Sequence, residues 1–420
     1  MALVGTVLFA ALVLGFCLIA ALLSRWLVTA PLAFVAIGAV LGFTLGPIES
    51  ESLLGIKTIA EVTLVLILFH DAAQVRPRQI GTERSLILRL LLIGFPLTIL
   101  AGFLLARALF GDLPTMMALL LAAALAPTDA GLGAPTVLNP VVPTRVRRAL
   151  NVESGLNDGL ATPIVLFTIA VLAGSEGVGP GESVVAAIVE MIIGVLVGGV
   201  VGAGAGILLG ASRRRATSSP SSRSLGVLMI PLLGYGGALM VGGNGFVAAF
   251  IAGTAFAGAA RWIHDEHSAL EGTESLSNPL GYGVWLVFGM AAVPFVWEHL
   301  GARELLFALL SLTVLRMVPV ALSLLGSGLR APTLAFVGWF GPRGLASVVF
   351  ALIALESLVP DEDLRTVLAT ISATVLLSVI AHGFSAEPLA KRYGHWVSRT
   401  HAPIERAAAT EPRARGSFRG

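Results

Sequence analysis

Charge is what this chain of 420 residues has least of: 12% is Asp, Glu, Lys or Arg, against 56% hydrophobic residues. Soluble domains carry about a quarter charged residues, so an ordinary water-facing surface is excluded and most of the chain has lipid as its solvent. Mean hydropathy of +0.90 agrees. Cysteine is reduced to one, Cys17, inside an apolar run, so there is no disulfide framework and no redox compartment to read. Neither sign of charge is in surplus: 27 Lys and Arg face 25 Asp and Glu. A net +2 argues against a nucleic-acid partner. No basic segment precedes the first apolar stretch, Leu3 to Leu23, and no small-residue cleavage site stands out, so it reads as a retained helix rather than a signal peptide.

What is present is a series of long apolar runs. A membrane span needs about 20 mostly apolar residues. Such runs fall near 3–23, 30–47, 53–70, 85–109, 115–139, 149–173, 183–211, 224–241, 244–260, 279–297, 303–327, 332–356 and 364–388. The expected fold is therefore an all-α polytopic membrane protein with about thirteen transmembrane helices over residues 1–388. Residues 389–420 are polar and Arg-rich and read as a flexible cytoplasmic tail.

Loop charge supports the count. One alternate set of loops holds Arg25; Arg76, Arg78 and Arg84; Arg145, Arg147 and Arg148; Arg213 to Arg215 and Arg223; Arg261; Arg330; and the tail. The opposite set holds little besides Lys57, Arg107, Arg303 and Arg365. Basic loops stay in the cytoplasm, which puts the N-terminus outside and the C-terminus inside the cytoplasmic membrane.

Two runs are interrupted, at Ala126-Pro127-Thr128-Asp129 and at Gly341-Pro342-Arg343-Gly344. Broken helices in lipid are tolerated where they line a protein cavity, and paired breaks point to a transporter site. The breaks lie in the fifth and twelfth spans, a spacing that fits two inverted six-helix repeats after an extra first helix.

Ionisable groups deep in a membrane are costly and usually face a cavity or a partner. The candidates are Asp129, Glu153, Asp158, Arg316 and Arg343, with Glu61 and Glu190 peripheral. Glu153 and Asn157 are i, i+4 neighbours, as are Ser154 and Asp158. Residues 151–159 thus present a band of oxygens on adjoining helix faces. Oxygen ligands suit hard cations of the Na+ type, and an unwound Thr128-Asp129 adds free carbonyls. A carboxylate that takes either a proton or a cation is the core of an exchanger, and Asp158 is the candidate. For Glu153 two readings stay open, a cation ligand or half of an ion pair with Arg316. Asp129 is either a ligand or a compensating charge for helix ends at the break. The segment Arg261-Trp262-Ile263-His264-Asp265-Glu266-His267 reads as a solvated linker ahead of a metal or pH-sensing loop, since no ligand spacing recurs nearby.

On Pro127-Thr128-Asp129, Glu153-Ser154-Gly155-Leu156-Asn157-Asp158 and Gly341-Pro342-Arg343-Gly344, the chain resembles the monovalent cation:proton antiporter superfamily, in its sodium/proton exchanger branch. The resemblance covers essentially all thirteen spans. It implies crossed broken helices, a homodimer and elevator-like alternating access. It also implies Na+ (or Li+) held by Asp158, Ser154 and Thr128, with Glu153 completing the site. Asn157, Asp129, Arg316 and Arg343 would order it. The partners implied are a monovalent cation, the proton and the bilayer, with no cofactor beyond the transported ions. Asn rather than Asp before the key aspartate is the family's electroneutral pattern. The twelfth span departs from the family in carrying Pro342 where further glycines are usual, which implies a stiffer break. The nearest rival is K+/H+ exchange. An intramembrane aspartyl protease is remote: no Tyr adjoins Asp129 or Asp158, and Gly131-Leu132-Gly133 follows its Asp. A cation channel would need carbonyl-lined filter repeats that are absent.

Overall fold

The computed structural model describes residues 2–46, 50–75, 84–137, 139–174, 180–264, 269–400 and 404–405. Among them there is helix and no strand. In chain order the helices are α1 (Ala2–Arg25), α2 (Ala30–Leu45), α3 (Ser50–Gln74), α4 (Arg84–Arg89), a π-helical turn Leu90–Gly94, α5 (Phe95–Leu109), α6 (Thr115–Ala124), α7 (Ala134–Val137) and α8 (Thr144–Gly174). They continue with α9 (Pro180–Arg214), α10 (Pro220–Met240), α11 (Gly245–Ala259), a 3-10 turn Arg261–His264, α12 (Glu271–His299), α13 (Ala302–Leu312), α14 (Val314–Ser323), α15 (Ala331–Trp339), α16 (Leu345–Ser357) and α17 (Glu362–Thr400). Eight helical stretches among the described residues are long and apolar enough to cross a membrane by themselves. Four shorter apolar helices, α2, α6, α11 and α16, run 10–17 residues.

The helices pack as two bundles. One joins α2, α3, α9, α10, α11 and α12; the other joins α5, α6, α8 and α13 to α17. In the first, α9 lies close on α11 because a stripe of small residues faces it, with Gly198 and Gly202 against the main chain of Ala248 and Ala252. The outer face of α9 leaves Val185, Leu196 and Val200 exposed, as a lipid-facing helix should. In the second bundle α8 is buried along most of its length, from Val146 to Val171. At 1.5 Å per residue its 31 residues reach about 46 Å, so its first turns extend beyond an apolar layer of about 30 Å.

Three elements differ from the sequence reading. The run 303–327 is kinked at Thr313 (φ −113°, ψ −89°) between α13 and α14. There the Thr313 hydroxyl donates to the Leu309 carbonyl at 2.7 Å, and Pro319 removes an amide donor from the next turn. Residues 389–400, placed in the tail by composition, continue α17. Tyr393, Gly394 and Val397 are buried there, and the Tyr393 ring stacks on Phe336 with centroids 4.1 Å apart. Charge density identified the exposed side of this segment and missed its apolar side. In the segment 261–267, Trp262 and Ile263 are buried beside Phe256 rather than solvated, while residues 265–267 lie outside the described set.

Candidate functional site

The site is built where two interrupted helices meet. α6 ends at Ala124, and regular helix resumes only at Ala134. α15 ends at Trp339 and α16 starts at Leu345. Proline explains part of each break, since Pro127 and Pro342 have no N–H to donate. The two breaks hydrogen-bond to each other. The Asp129 amide donates to the Pro342 carbonyl at 2.8 Å, and the Leu345 amide donates to Asp129 Oδ2 at 2.8 Å. Arg343 Nη1 donates to the carbonyl of Ala126, and to that of Pro127 at 3.2 Å. The Ser347 hydroxyl donates to the Ala124 carbonyl at 2.6 Å.

These bonds cancel charge at helix ends. A broken helix leaves partial positive charge at its N-terminal end and partial negative charge at its C-terminal end. Asp129 lies against the N-terminal end of α16 and also accepts from the amides of Gly131 (2.7 Å) and Leu132 (3.2 Å). Arg343, fully buried, lies against the C-terminal end of α6. Each break thus supplies the counter-charge that the other needs. Two glycines make the approach possible: a Cβ on Gly344 would lie 2.0 Å from Asp129 Oδ2, and one on Gly341 would lie 2.3 Å from Arg316 Nε.

α8 passes the first break. Asn157 accepts the Thr128 amide on Oδ1 at 3.2 Å and donates from Nδ2 to Thr128 Oγ1 at 2.8 Å. One turn earlier, Ser154 Oγ is 2.8 Å from the same Thr128 hydroxyl. Thr128 is held by two α8 side chains at once, and all three residues are buried. Asp158 follows Ser154 by one turn and is also buried, with its carbonyl accepting from the Thr162 hydroxyl at 2.7 Å. Glu153 turns to α14: Arg316 Nη1 and Nη2 donate to its two carboxylate oxygens at 2.6 and 2.7 Å. With side chains 0% and 2% exposed, this is a dry bidentate pair. It occupies both Glu153 oxygens with Arg donors.

The peripheral candidates lie elsewhere. Glu61 of α3 accepts from the Tyr235 hydroxyl at 3.1 Å and lies 3.7 Å from Lys57. Lys57 in turn pairs with Glu356 of α16 at 2.7 Å. Glu190 is exposed, and its carbonyl accepts the Asn244 amide. Of the buried ionisable residues that escaped the sequence reading, two touch the site's own elements. Asp71 of α3 packs on the site helix, 3.3 Å from where a Cβ on Gly155 would be; it falls one position beyond the expected span 53–70. His382 of α17 is 1% exposed and bonds to the second break; as a residue neutral near pH 7, it did not stand out among the charges. Among the described residues, no group of three His, Cys, Asp or Glu side chains could hold a tightly bound metal ion.

Fold and site together define a multi-pass membrane protein built on two crossed, mutually neutralised broken helices, with a hydroxyl, amide and carboxylate cluster on the adjoining helix. Residues 7–392 match the family model described as sodium/hydrogen exchanger, transmembrane. The chain belongs to the sodium/hydrogen exchanger family. It is 32% identical over 340 residues to a Na(+)/H(+) antiporter of Schizosaccharomyces pombe, covering 73% of this chain and 71% of that protein. It is 28% identical to the K(+)/H(+) antiporter NhaP of Alkalimonas amylolytica over 79% of this chain and 57% of that protein. Its fold is similar to the structure of the sodium proton antiporter MjNhaP1 from Methanocaldococcus jannaschii at pH 8. The TM-score is 0.71 at 21% sequence identity, over 94% of this chain and all of the other.

Proposed function

We propose that this chain is a secondary transporter, not an enzyme, exchanging Na+ (or Li+) for H+ across the cytoplasmic membrane, with cation and proton competing for Asp158. The observation that carries this is the fixing of the unwound Thr128 by Asn157 and Ser154, one turn from a buried carboxylate. Hydroxyl, carbonyl and carboxylate oxygens then lie on the adjoining faces where a hard monovalent ion is held best. Asp158, Ser154 and Thr128 are the ligands in this reading, and Asn157 orders them. Glu153 acts through its pair with Arg316, and Asp158 is the carboxylate that trades one proton for one cation. That stoichiometry makes exchange electroneutral. Thirteen crossings, inverted repeats, an outside N-terminus, a cytoplasmic C-terminus and a homodimer belong to the same reading, supported by the loop arginines and the resemblance. A second reading, K+/H+ exchange, is favoured by the K(+)/H(+) antiporters among the relatives.

The test is dissipation of an imposed proton gradient in everted vesicles on addition of Na+, Li+ or K+. Asp158→Asn is expected to abolish the response while the protein remains in the membrane at normal amount; exchange at the wild-type rate in that variant sinks the proposal. The rate is expected to be indifferent to membrane potential. Largest activity with K+ selects the second reading.

A further inference from the structure

Three helix ends and one turn meet around the crossed breaks, and Asp129 and Arg343 account for the N-terminal end of α16, the amides of the 131–132 turn and the C-terminal end of α6. The remaining one is the C-terminal end of α15, where the Trp339 carbonyl points toward α17. That oxygen accepts the Gly341 amide at 2.8 Å within the break, and its second partner is His382, whose Nε2 lies 2.9 Å away. A carbonyl only accepts, so Nε2 carries a proton. On the other side of the ring, Nδ1 lies 3.2 Å from Ser378 Oγ and 3.0 Å from the Ser378 carbonyl. Ser378 Oγ also accepts the Arg343 amide at 2.7 Å, which leaves its own proton for Nδ1. A neutral ring completes the chain: Arg343 N–H to Ser378 Oγ, Ser378 O–H to Nδ1, Nε2–H to the Trp339 carbonyl. Trp339 is itself held, its ring 5.1 Å from the imidazole and its Nε1 donating to Ser385 Oγ at 2.9 Å. Two adjacent turns of α17 therefore grip the second break on both sides.

We infer that His382 and Ser378 are positioning residues for ion exchange, a bracket on α17 that holds the 340–344 break in shape and so keeps Arg343 on the carbonyls before Thr128. This deepens the proposed function and rests on Thr128 and Asp158 being the exchange site. The two protonation states of the ring use Ser378 differently. Neutral, Nδ1 accepts from the Ser378 hydroxyl; a second proton on Nδ1 turns to the Ser378 carbonyl at 3.0 Å, costs the hydroxyl its acceptor and adds a cation beside Arg343. The charged groups acting on the ring are Arg343 from the break and Arg316 from α14, the latter paired with Glu153 of α8. Acidification therefore releases the Ser378 hydroxyl from the ring and loosens the bracket at Arg343, and the acid limb of the exchange profile depends on His382 as well as on competition at Asp158.

The experiment combines two readouts on full-length protein: Na+-driven proton movement in proteoliposomes across a pH series, and hydrogen–deuterium exchange of residues 124–133 and 340–345. His382→Ala is expected to lower transport at least about tenfold, as misplaced reacting groups do, and to raise deuterium uptake at both breaks. His382→Gln keeps an amide donor for Trp339 and an oxygen for Ser378 but cannot titrate. It is expected to restore most of the transport and to flatten the acid limb. Wild-type rate, pH profile and uptake in His382→Ala overturn the inference, as does a His382→Gln profile that titrates like wild type. Should His382→Ala not fold, Ser378→Ala, which removes one hydroxyl, decides. Greater uptake at the first break with a shifted acid limb supports the bracket, and no change in either overturns it. Asp158→Asn is the control that separates the two claims. Transport surviving there refutes the exchange site, whereas uptake at the breaks still reports on the bracket.

Discussion

The first break and the second interrupt their helices in the same way and carry opposite chemistry. Residues 125–133 bring the Thr128 hydroxyl and amide to α8 and turn Asp129 to α16; residues 340–344 bring an arginine and two glycines and meet α6, α14 and α17. The first is equipped to contact a cation. The second, with a buried Arg343, supplies positive charge to helix ends and holds the first in place. A pair of breaks in lipid must dispose of several unmatched amides and carbonyls. Here each break lends the other a charged side chain for that purpose, and α8 and α17 supply the remaining partners.

The largest effect that tests this division lies at the buried pair beside it. Removing Arg316 leaves Glu153 charged in a dry interior, a loss of about 3–5 kcal/mol. Arg316→Ala is expected to melt far below wild type in detergent, and Glu153→Leu with Arg316→Met to recover most of the difference. Melting of Arg316→Ala at the wild-type temperature would mean the pair contributes nothing to the second bundle. Next comes Gly344→Ala, whose Cβ would sit 2.0 Å from Asp129 Oδ2. Forcing the breaks apart is expected to cost about 1–3 kcal/mol, with lowered cation affinity at the first break although the substitution is in the second. Unchanged affinity would uncouple the two.

Asp129→Asn is a sharper and milder test. Loss of a charge at helix N-terminal ends is worth about 0.3–2 kcal/mol, so a modest drop in melting temperature with near-normal cation affinity is expected. A many-fold fall in affinity with unaltered melting would move Asp129 into the ligand set. The smallest effect is expected at Lys57→Met. Its pair with Glu356 joins the two bundles, but the side chains are 31% and 42% exposed, and such pairs contribute about 0–1 kcal/mol. Thermal melting that shifts as much as in Arg316→Ala would contradict the contrast between dry and wet ion pairs.

Much of this arrangement was legible in residue order. The breaks show because Pro, Gly and charged residues interrupt apolar runs, and lipid tolerates that only around a cavity. The α8 band shows because i, i+4 spacing places Ser154 with Asp158, and Glu153 with Asn157, whatever surrounds the helix. Other features were not legible for stated reasons. Asp71 sits at the edge of an apolar run, where a carboxylate looks like a loop residue until α8 is seen against it. His382 is a neutral residue in an apolar helix, and only the Trp339 carbonyl and Ser378 reveal its work. The kink at Thr313 turns on a side-chain hydroxyl bonding back to Leu309, which Thr does in many unbroken helices. In residues 389–400 high charge concealed a buried face.

By itself the sequence determined that this is a polytopic helical membrane protein, where its two crossed helices break, and which oxygens share a face of α8. Those properties follow from solvent and helix period, both of which act within a few turns of chain. Tertiary structure alone decided the partners. Glu153 meets Arg316 across 163 positions, and Arg343 reaches Ala126 across 217. Thr128 is gripped by Asn157 and Ser154, and His382 by a break in another helix. No periodicity encodes such pairings, because they depend on which helix ends the packing leaves facing each other with charge still to be neutralised.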